Sequence, residues 1–220
     1  LKLLFCFPAP IILAIFLNEV RVAKYRKLLQ WMVYLPYFIS WVVIGGLVKQ
    51  MLAIDDGLFN NILAAFGKDR VAFLQTSSYF YPILILTELW KGMGWGTVIY
   101  IAAISGIDQQ LYEAATVDGA GRFQRMWNIT VPSLIPTFCV LLLMSIANIL
   151  SNGMDQYLVF ENSTNTSSIM VLDLYVYKLG IGQGQIPLST VIGMVKSVVS
   201  VTLLFAANGI SKLIRGESIV

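Results

Sequence analysis

The sequence predicts an all-α, polytopic transmembrane fold, and three observations carry that expectation. Of 220 residues, 57% are hydrophobic and only 12% are charged, and the mean hydropathy of +0.75 is more apolar surface than a soluble domain could cover. The apolar residues collect in runs of 17 or more, and about 20 helical residues rising 1.5 Å each cross a bilayer core of roughly 30 Å. Nothing alternates in polarity over the short segments that a membrane barrel would need.

About five spans are expected, within a single transmembrane domain covering residues 1–220. The first runs from about Leu1 to Leu17, kinked by Pro8 and Pro10, as proline can kink a membrane helix packed in protein. It starts inside an apolar run without an initiator Met and reads as a truncated span, because a signal peptide would need a basic region and a cleavage site. Asn18 ends it, and Arg21, Lys24, Arg26 and Lys27 follow as the densest basic cluster. The positive-inside rule places that cluster in the cytoplasm. The second span, about Leu29 to Val48, holds Pro36 and the pair Gly45 and Gly46 and leads to an external segment from Lys49 to Ser78. A short amphipathic piece there, LFNNILAAFG, suits the membrane interface. The third span starts near Pro82 and returns by about Ser105. A cytoplasmic loop from Gly106 to Val131 precedes the fourth span, about Pro132 to Leu150. An external stretch rich in Ser, Thr, Asn and Gly leads to the fifth, about Ser189 to Ile210, and a basic tail with Lys212 and Arg215. Charge tests this topology: Arg122 and Arg125 join the four residues of the first loop and the two of the tail, so eight of fifteen basic residues lie in the three short segments assigned to the cytoplasm. No internal or inverted repeat and no long linker is evident.

The formal charge of +3 is too small to argue for nucleic acid. Cys6 and Cys139 lie in apolar runs and read as reduced packing residues, rather than a disulfide or a metal pair. The absence of histidine removes histidine-based zinc sites and Ser/His or Cys/His catalysis. No GxxxxGK[ST] occurs; GMGWGT at Gly92 to Thr97 lacks the lysine and lies in a span, where Gly92 and Gly96 suit a small-residue packing face.

The cytoplasmic loop reads as two short helices joined at a glycine. Asp108 can cap the first, whose small apolar face is Leu111, Ala114 and Ala115. Asp118 and Gly119 make the turn, since glycine reaches the left-handed region without steric cost. Phe123 and Trp127, four apart, occupy one face of the second helix, with Arg122 and Arg125 turned elsewhere. Small alanines beside Glu113 suit insertion into a partner's groove, with the carboxylate free for an arginine. An interfacial hairpin with alanines chosen for helix propensity fits the pattern equally.

Residues Glu113, Ala114 and Ala115, then Gly119, then Ile129 and Pro132 resemble the EAA loop of bacterial ATP-binding-cassette (ABC) importer permeases, with Val131 where leucine is usual. The DGA at Asp118 to Ala120 resembles the sugar-importer form. LNEVR at Leu17 to Arg21, LPYFISWVV at Leu35 to Val43, ELWKGMGWGT at Glu88 to Thr97 and YVYKLGI at Tyr175 to Ile181 are similar to the polysaccharide and oligosaccharide branch of the maltose-type family. The resemblance implies a type I importer fold with a further transmembrane helix upstream, and a loop that acts as a coupling helix seated in an ATPase cleft. Glu113 would pair with that ATPase, Ala114 and Ala115 would permit close approach, and Gly119 would make the bend. It implies a multi-pass protein of the bacterial cytoplasmic membrane, with no enzyme activity or cofactor of its own. ATP and Mg would sit on two ATPase subunits, and a second, different permease, an extracytoplasmic binding protein and an oligosaccharide would complete the system. The rival class is a secondary active transporter, which should show inverted repeats and midplane carboxylates. An intramembrane enzyme would need a nucleophile and base pair, and none is evident.

Polar residues in spans normally face protein or water, so Glu88, Trp90, Lys91, Asn148, Asn152 and Lys196 are candidates for the translocation path. Each has a structural alternative. Glu88 and Lys91, three apart, could form a helix-surface ion pair between interfacial Trp90 and Trp95. Asn148 and Asn152, with Asp155 and Gln156 beyond, could cap a helix or bond a neighbour as readily as they bind hydroxyls. Lys196 could snorkel to the external surface. If Lys91 and Lys196 instead met substrate, the sugar would be acidic.

Overall fold

The computed structural model describes residues 2–151 and 153–215, and among these every regular element is helical. In chain order they are α1 (Lys2–Phe5), α2 (Ala9–Asn18), α3 (Ala23–Phe38), α4 (Trp41–Met51), α5 (Leu58–Ala65), α6 (Ser77–Ser105), α7 (Gln109–Val117), α8 (Arg122–Arg125), a π-helical turn over Met126–Thr130, α9 (Val131–Ala147), α10 (Met154–Phe160), α11 (Thr166–Ile169), α12 (Leu172–Tyr177), a second π-helical turn over Lys178–Gly182, and α13 (Ile186–Arg215).

Among the described residues, two helices, Arg122–Ala147 and Ile186–Gly209, are long and apolar enough to cross a membrane, and a third joins them if α3 and α4 count as one broken span. The remaining expected spans differ for physical reasons. Lys2–Asn18 is a short apolar stretch interrupted between Phe5 and Ala9, where Pro8 and Pro10 remove two backbone donors. Helix α6 has 29 residues, or about 44 Å, but Glu88, Lys91 and three glycines dilute its apolar character. It begins at Ser77, so Pro82 lies inside it rather than at its start. The expected second span breaks at Ile39 and Ser40, where the Ser40 side chain caps α4 by accepting from the Val43 amide at 3.4 Å. The fourth begins ten residues before Pro132. A proline at that position cannot donate to the ladder and its ring crowds the preceding turn, and the π-helical turn just ahead of it absorbs the mismatch: the Val131 amide reaches back to the Met126 carbonyl. Lys212 and Arg215 lie on the last turns of α13, not in a separate tail.

The packing gathers into two compact units. The first comprises described residues 2–38, 87–146 and 210–215. Its core is Ala14, Tyr100, Ile104 and Leu134, with Ile11, Ile101, Phe138 and Leu141 packed around it. Close approach depends on glycine: a Cβ on Gly94 would lie 2.1 Å from the Val33 carbonyl oxygen, and one on Gly96 would lie 2.8 Å from Pro10. Gly92, expected to share that face with Gly96, has room for a Cβ, whose nearest neighbour is Glu88 at 3.6 Å.

The second unit comprises residues 39–86 and 147–209. Its core is Phe80, Leu84, Tyr157, Phe160, Ile169 and Leu174. Helix α10, in a stretch whose Ser, Thr, Asn and Gly content argued for an external loop, supplies Tyr157 and Phe160. It lies against α4 so closely that a Cβ on Gly45 would meet Val159 at 2.1 Å. Buried Asn60 ties α5 to its flanks, donating to the carbonyls of Ala53 and Val71 at 2.9 and 3.0 Å and accepting from the Val71 amide at 2.8 Å. The other side of α5 is apolar and exposed at Leu58, Phe59 and Ile62.

Gly94 and Gly92 provide a contrast two residues apart. Gly94→Ala must displace the backbone of α3, a strain of about 1–3 kcal/mol or more, whereas Gly92→Ala should be neutral or slightly stabilising. The thermal aggregation midpoint of each variant in detergent should fall for Gly94→Ala alone.

Candidate functional site

The hairpin formed by α7 and α8 satisfies its own ends. Asp108 accepts from the Gln110 amide at 2.9 Å, the N-cap expected of it. At the other end, Gly119 has φ +76°, the Gly119 amide bonds the Thr116 carbonyl at 3.1 Å and the Ala120 amide bonds the Ala115 carbonyl at 2.8 Å. This pair of bonds around a left-handed glycine is the Schellman C-cap. No neighbouring atom would obstruct a Cβ on Gly119, so its requirement for glycine is conformational.

Three side-chain links then fix the hairpin. Arg125 donates to the Thr116 hydroxyl at 2.8 Å. The Tyr112 and Thr130 hydroxyls bond at 2.8 Å, joining α7 to the π-helical turn. Arg122 donates to both the carboxylate and the backbone carbonyl of Glu19, just past the end of α2. None of these partners was evident from the sequence, because 103 residues separate Arg122 from Glu19 and no local pattern links them.

The outward side of the hairpin is left open. Glu113, Ala114 and Asp118 are exposed and Ala115 is half-buried, and Glu113 has no hydrogen-bond or ion-pair partner among the described residues. Phe123 and Trp127 are 78% and 68% exposed. Ile129 is half-buried in the π-helical turn and Pro132 is exposed on the first turn of α9. The arrangement is a preformed, self-capped projection with a free carboxylate, a small-residue surface and two aromatic rings, suited to receive another protein.

The path candidates are not arranged as the sequence suggested. Glu88 accepts from Lys2 at 3.0 Å. Lys91 donates to the Tyr37 and Pro36 carbonyls at 2.7 and 3.3 Å, with its ammonium 5.6 Å from the centre of the Tyr37 ring. Those carbonyls belong to the last turn of α3, where a cation is favoured. Trp95 stacks on Tyr37 at 4.8 Å between ring centres, and Trp90 is exposed. In the second unit, Lys196 is bound to Asp173, the two side chains being 19% and 20% accessible. It is therefore held by a carboxylate rather than extended to an interface. Gln156, grouped with the outer amides, is 2% exposed and donates to the Leu84 carbonyl at 2.8 Å. Asn148 is exposed at the end of α9, and Asn152 lies outside the described residues. Among the described residues no cluster of acidic or cysteine side chains could hold a metal.

Apolar spans joined to a projecting hairpin define an integral membrane subunit that works with other proteins. The chain belongs to the family of binding-protein-dependent transport system inner membrane components, which it matches over residues 9–216. It is 42% identical to protein LplB of Bacillus subtilis strain 168 over 219 residues, covering all of this chain and 69% of that protein. It is 41% identical to the polygalacturonan/rhamnogalacturonan transport system permease protein YteP of the same strain, covering 68% of it. In structure it is similar to a chain of a bacterial alginate ABC transporter in complex with an alginate pentasaccharide-bound periplasmic protein. There the TM-score is 0.91 and the identity 39%, with 99% of this chain and 76% of that one covered. A chain of a bacterial ABC transporter involved in import of the acidic polysaccharide alginate matches at TM-score 0.90 and 40% identity, covering 97% of this chain and 75% of that one. The fold is that of an ABC transporter permease, and the protein is a multi-pass component of the bacterial inner membrane.

The Asp173–Lys196 pair makes a stability prediction. Removing one member strands a poorly hydrated charge, whereas replacing both with apolar residues of similar size removes the desolvation cost. Asp173→Ala should destabilise by about 3 kcal/mol, and the double variant Asp173→Leu, Lys196→Met should recover most of that loss in thermal unfolding in detergent.

Proposed function

We propose that this chain is the permease subunit of an ATP-driven importer of oligosaccharides delivered by an extracytoplasmic binding protein, with α7 and α8 as its cytoplasmic coupling element. The observation that carries the reading is the hairpin itself: Glu113 unpartnered among the described residues and exposed at the middle of α7, a helix whose two ends are internally bonded. A segment that needed only to lie at the membrane surface would not require Schellman capping, a link to α2 and a bare carboxylate together.

The partners follow from the chemistry. The chain carries no nucleotide-binding motif, so ATP and Mg belong on two separate ATPase subunits, and a second permease of different sequence completes the pathway. Closure of the ATPases on ATP would displace the hairpin. Because α8, the π-helical turn and α9 form one continuous helix over Arg122–Ala147, that displacement passes directly into a span, and the Arg122–Glu19 link carries it to α2. Alternation between inward-facing and outward-facing states then needs no chemistry within this chain.

The acidic alginate and the polygalacturonan/rhamnogalacturonan named for its relatives support an acidic oligosaccharide as cargo. Lys91 and Lys196 are committed to partners within the fold, so the acidic preference is assigned to the binding protein. Trp90 and Asn148, both exposed, are the residues of this chain proposed to face the path.

The test separates conformation from contact. In the reconstituted importer, Glu113→Ala should insert and assemble but lower binding-protein-stimulated ATP hydrolysis about tenfold, the loss of one charge-assisted hydrogen bond. Gly119→Val should lose coupling through about 1–2 kcal/mol of left-handed strain, whereas Gly119→Asn, which tolerates that conformation, should keep it. Normal coupling in both Glu113→Ala and Gly119→Val would defeat the assignment.

A further inference from the structure

Behind the hairpin lies a cleft of about 450 Å³ that the coupling reading does not use. It opens where α2 ends, α3 begins and α6 gives way to α7. Its lining includes four arginines, Arg21, Arg26, Arg122 and Arg125, against a single carboxylate, Glu19. That carboxylate is already taken by Arg122, and the Arg125 guanidinium donates to the neutral Thr116 hydroxyl. The Arg21 and Arg26 side chains have no hydrogen-bond or ion-pair partner among the described residues, and both residues are exposed. Four guanidinium groups drawn into one cavity repel one another, and an arrangement of this kind is stabilised by an anion.

We propose that this cleft binds a phosphate-bearing anion. The guanidinium fork matches phosphate oxygens in bidentate fashion, and Gln109 supplies an amide beside them. Ile104 and Ile107 form an apolar wall, so the cleft offers both a charged mouth and a greasy side, as the headgroup and first carbons of an anionic lipid require. Basic pockets between helices at the cytoplasmic surface select such headgroups. Free phosphate offers the same oxygens without the apolar part. An occupied cleft would clamp Arg21, from the loop after α2, to Arg122 and Arg125 of the hairpin and so stiffen the element that receives the ATPase. The inference uses the cytoplasmic placement of the hairpin and is independent of which sugar is carried.

The test uses the assembled importer, reconstituted in phosphatidylcholine vesicles with and without phosphatidylglycerol, and native mass spectrometry of the lipid that remains bound. The unaltered importer should retain phosphatidylglycerol over phosphatidylcholine. The double variant Arg21→Gln, Arg26→Gln should weaken that retention about tenfold, as loss of charge-assisted bonds does. Lys24→Gln with Lys27→Gln removes the same charge from the same segment, outside the cleft lining, and should leave retention unchanged. Should the arginine double variant fail to assemble with its partners, Arg21→Gln alone, which keeps most of the basic cluster, should show a smaller loss in the same direction. Inorganic phosphate added to the vesicles identifies the source: competition with the lipid assigns the cleft to the phosphate group itself, and retention undiminished by phosphate assigns it to a lipid headgroup. Equal losses in the arginine and lysine variants, or retention of neither anion by the unaltered importer, would overturn the proposal, whereas the coupling variants of Glu113 and Gly119 would be unaffected by either result.

Discussion

Inside a bilayer no water is available to satisfy a polar group, so each backbone and side-chain dipole must find its partner within protein, and the arrangement of this chain follows from that requirement. The prolines make it visible. Pro82 and Pro136 sit inside helices although each deletes a ladder donor, and Pro132 follows a π-helical turn that re-routes the bonding by one residue. Where α3 ends, the last carbonyls accept from Lys91, a cation borrowed from another helix of the same unit. A charge that sequence logic offered to a substrate is thereby used to finish a helix.

The same requirement decides what the other intramembrane charges do. Lys196 costs several kcal/mol in hydrocarbon if left alone, and Asp173 offsets part of that cost; Glu88 and Lys2 repeat the arrangement in the other unit. These pairs fix how helices are seated rather than adding stability beyond what apolar residues would give. Glycine does the complementary work. Gly45 and Gly94 admit a side chain and a backbone carbonyl to within a distance that any Cβ would forbid, and dispersion in such close contacts, rather than the hydrophobic effect, drives helix association among lipid tails.

The sequence disclosed the features that depend on local pattern. The helical character of the chain, the Asp108 cap, the turn at Gly119 and the exposure of Glu113 are all determined within a few residues, and each appears as expected. Features that depend on distant partners were hidden. Nothing near Arg122 indicates Glu19, and nothing near Lys196 indicates Asp173. The break at Ile39 and Ser40 was obscured because the apolar run continues through it, and composition cannot report a change of direction. Helix α10 was missed for the opposite reason: Ser, Thr, Asn and Gly surround it and mask a seven-residue helix whose Tyr157 and Phe160 are core residues.

The proposed coupling role requires an element both accessible to a partner and stiff toward its own protein, and the hairpin separates these two properties in space. Its outward surface carries almost no internal bonds: Glu113, Phe123 and Trp127 are exposed. Its inward connections are all polar and directional, through Thr116, Thr130 and Glu19. A force applied to the outward surface therefore meets no loop before α9, because the bend at Gly119 is locked by two backbone bonds and α8 continues into the span through the π-helical turn. Compliance, if any, lies at the π-helical turn, where the ladder is already re-registered around Pro132. That turn is bonded to α7 through Tyr112, so the two helices of the hairpin move with it together, and a displacement of the hairpin becomes a displacement of the span.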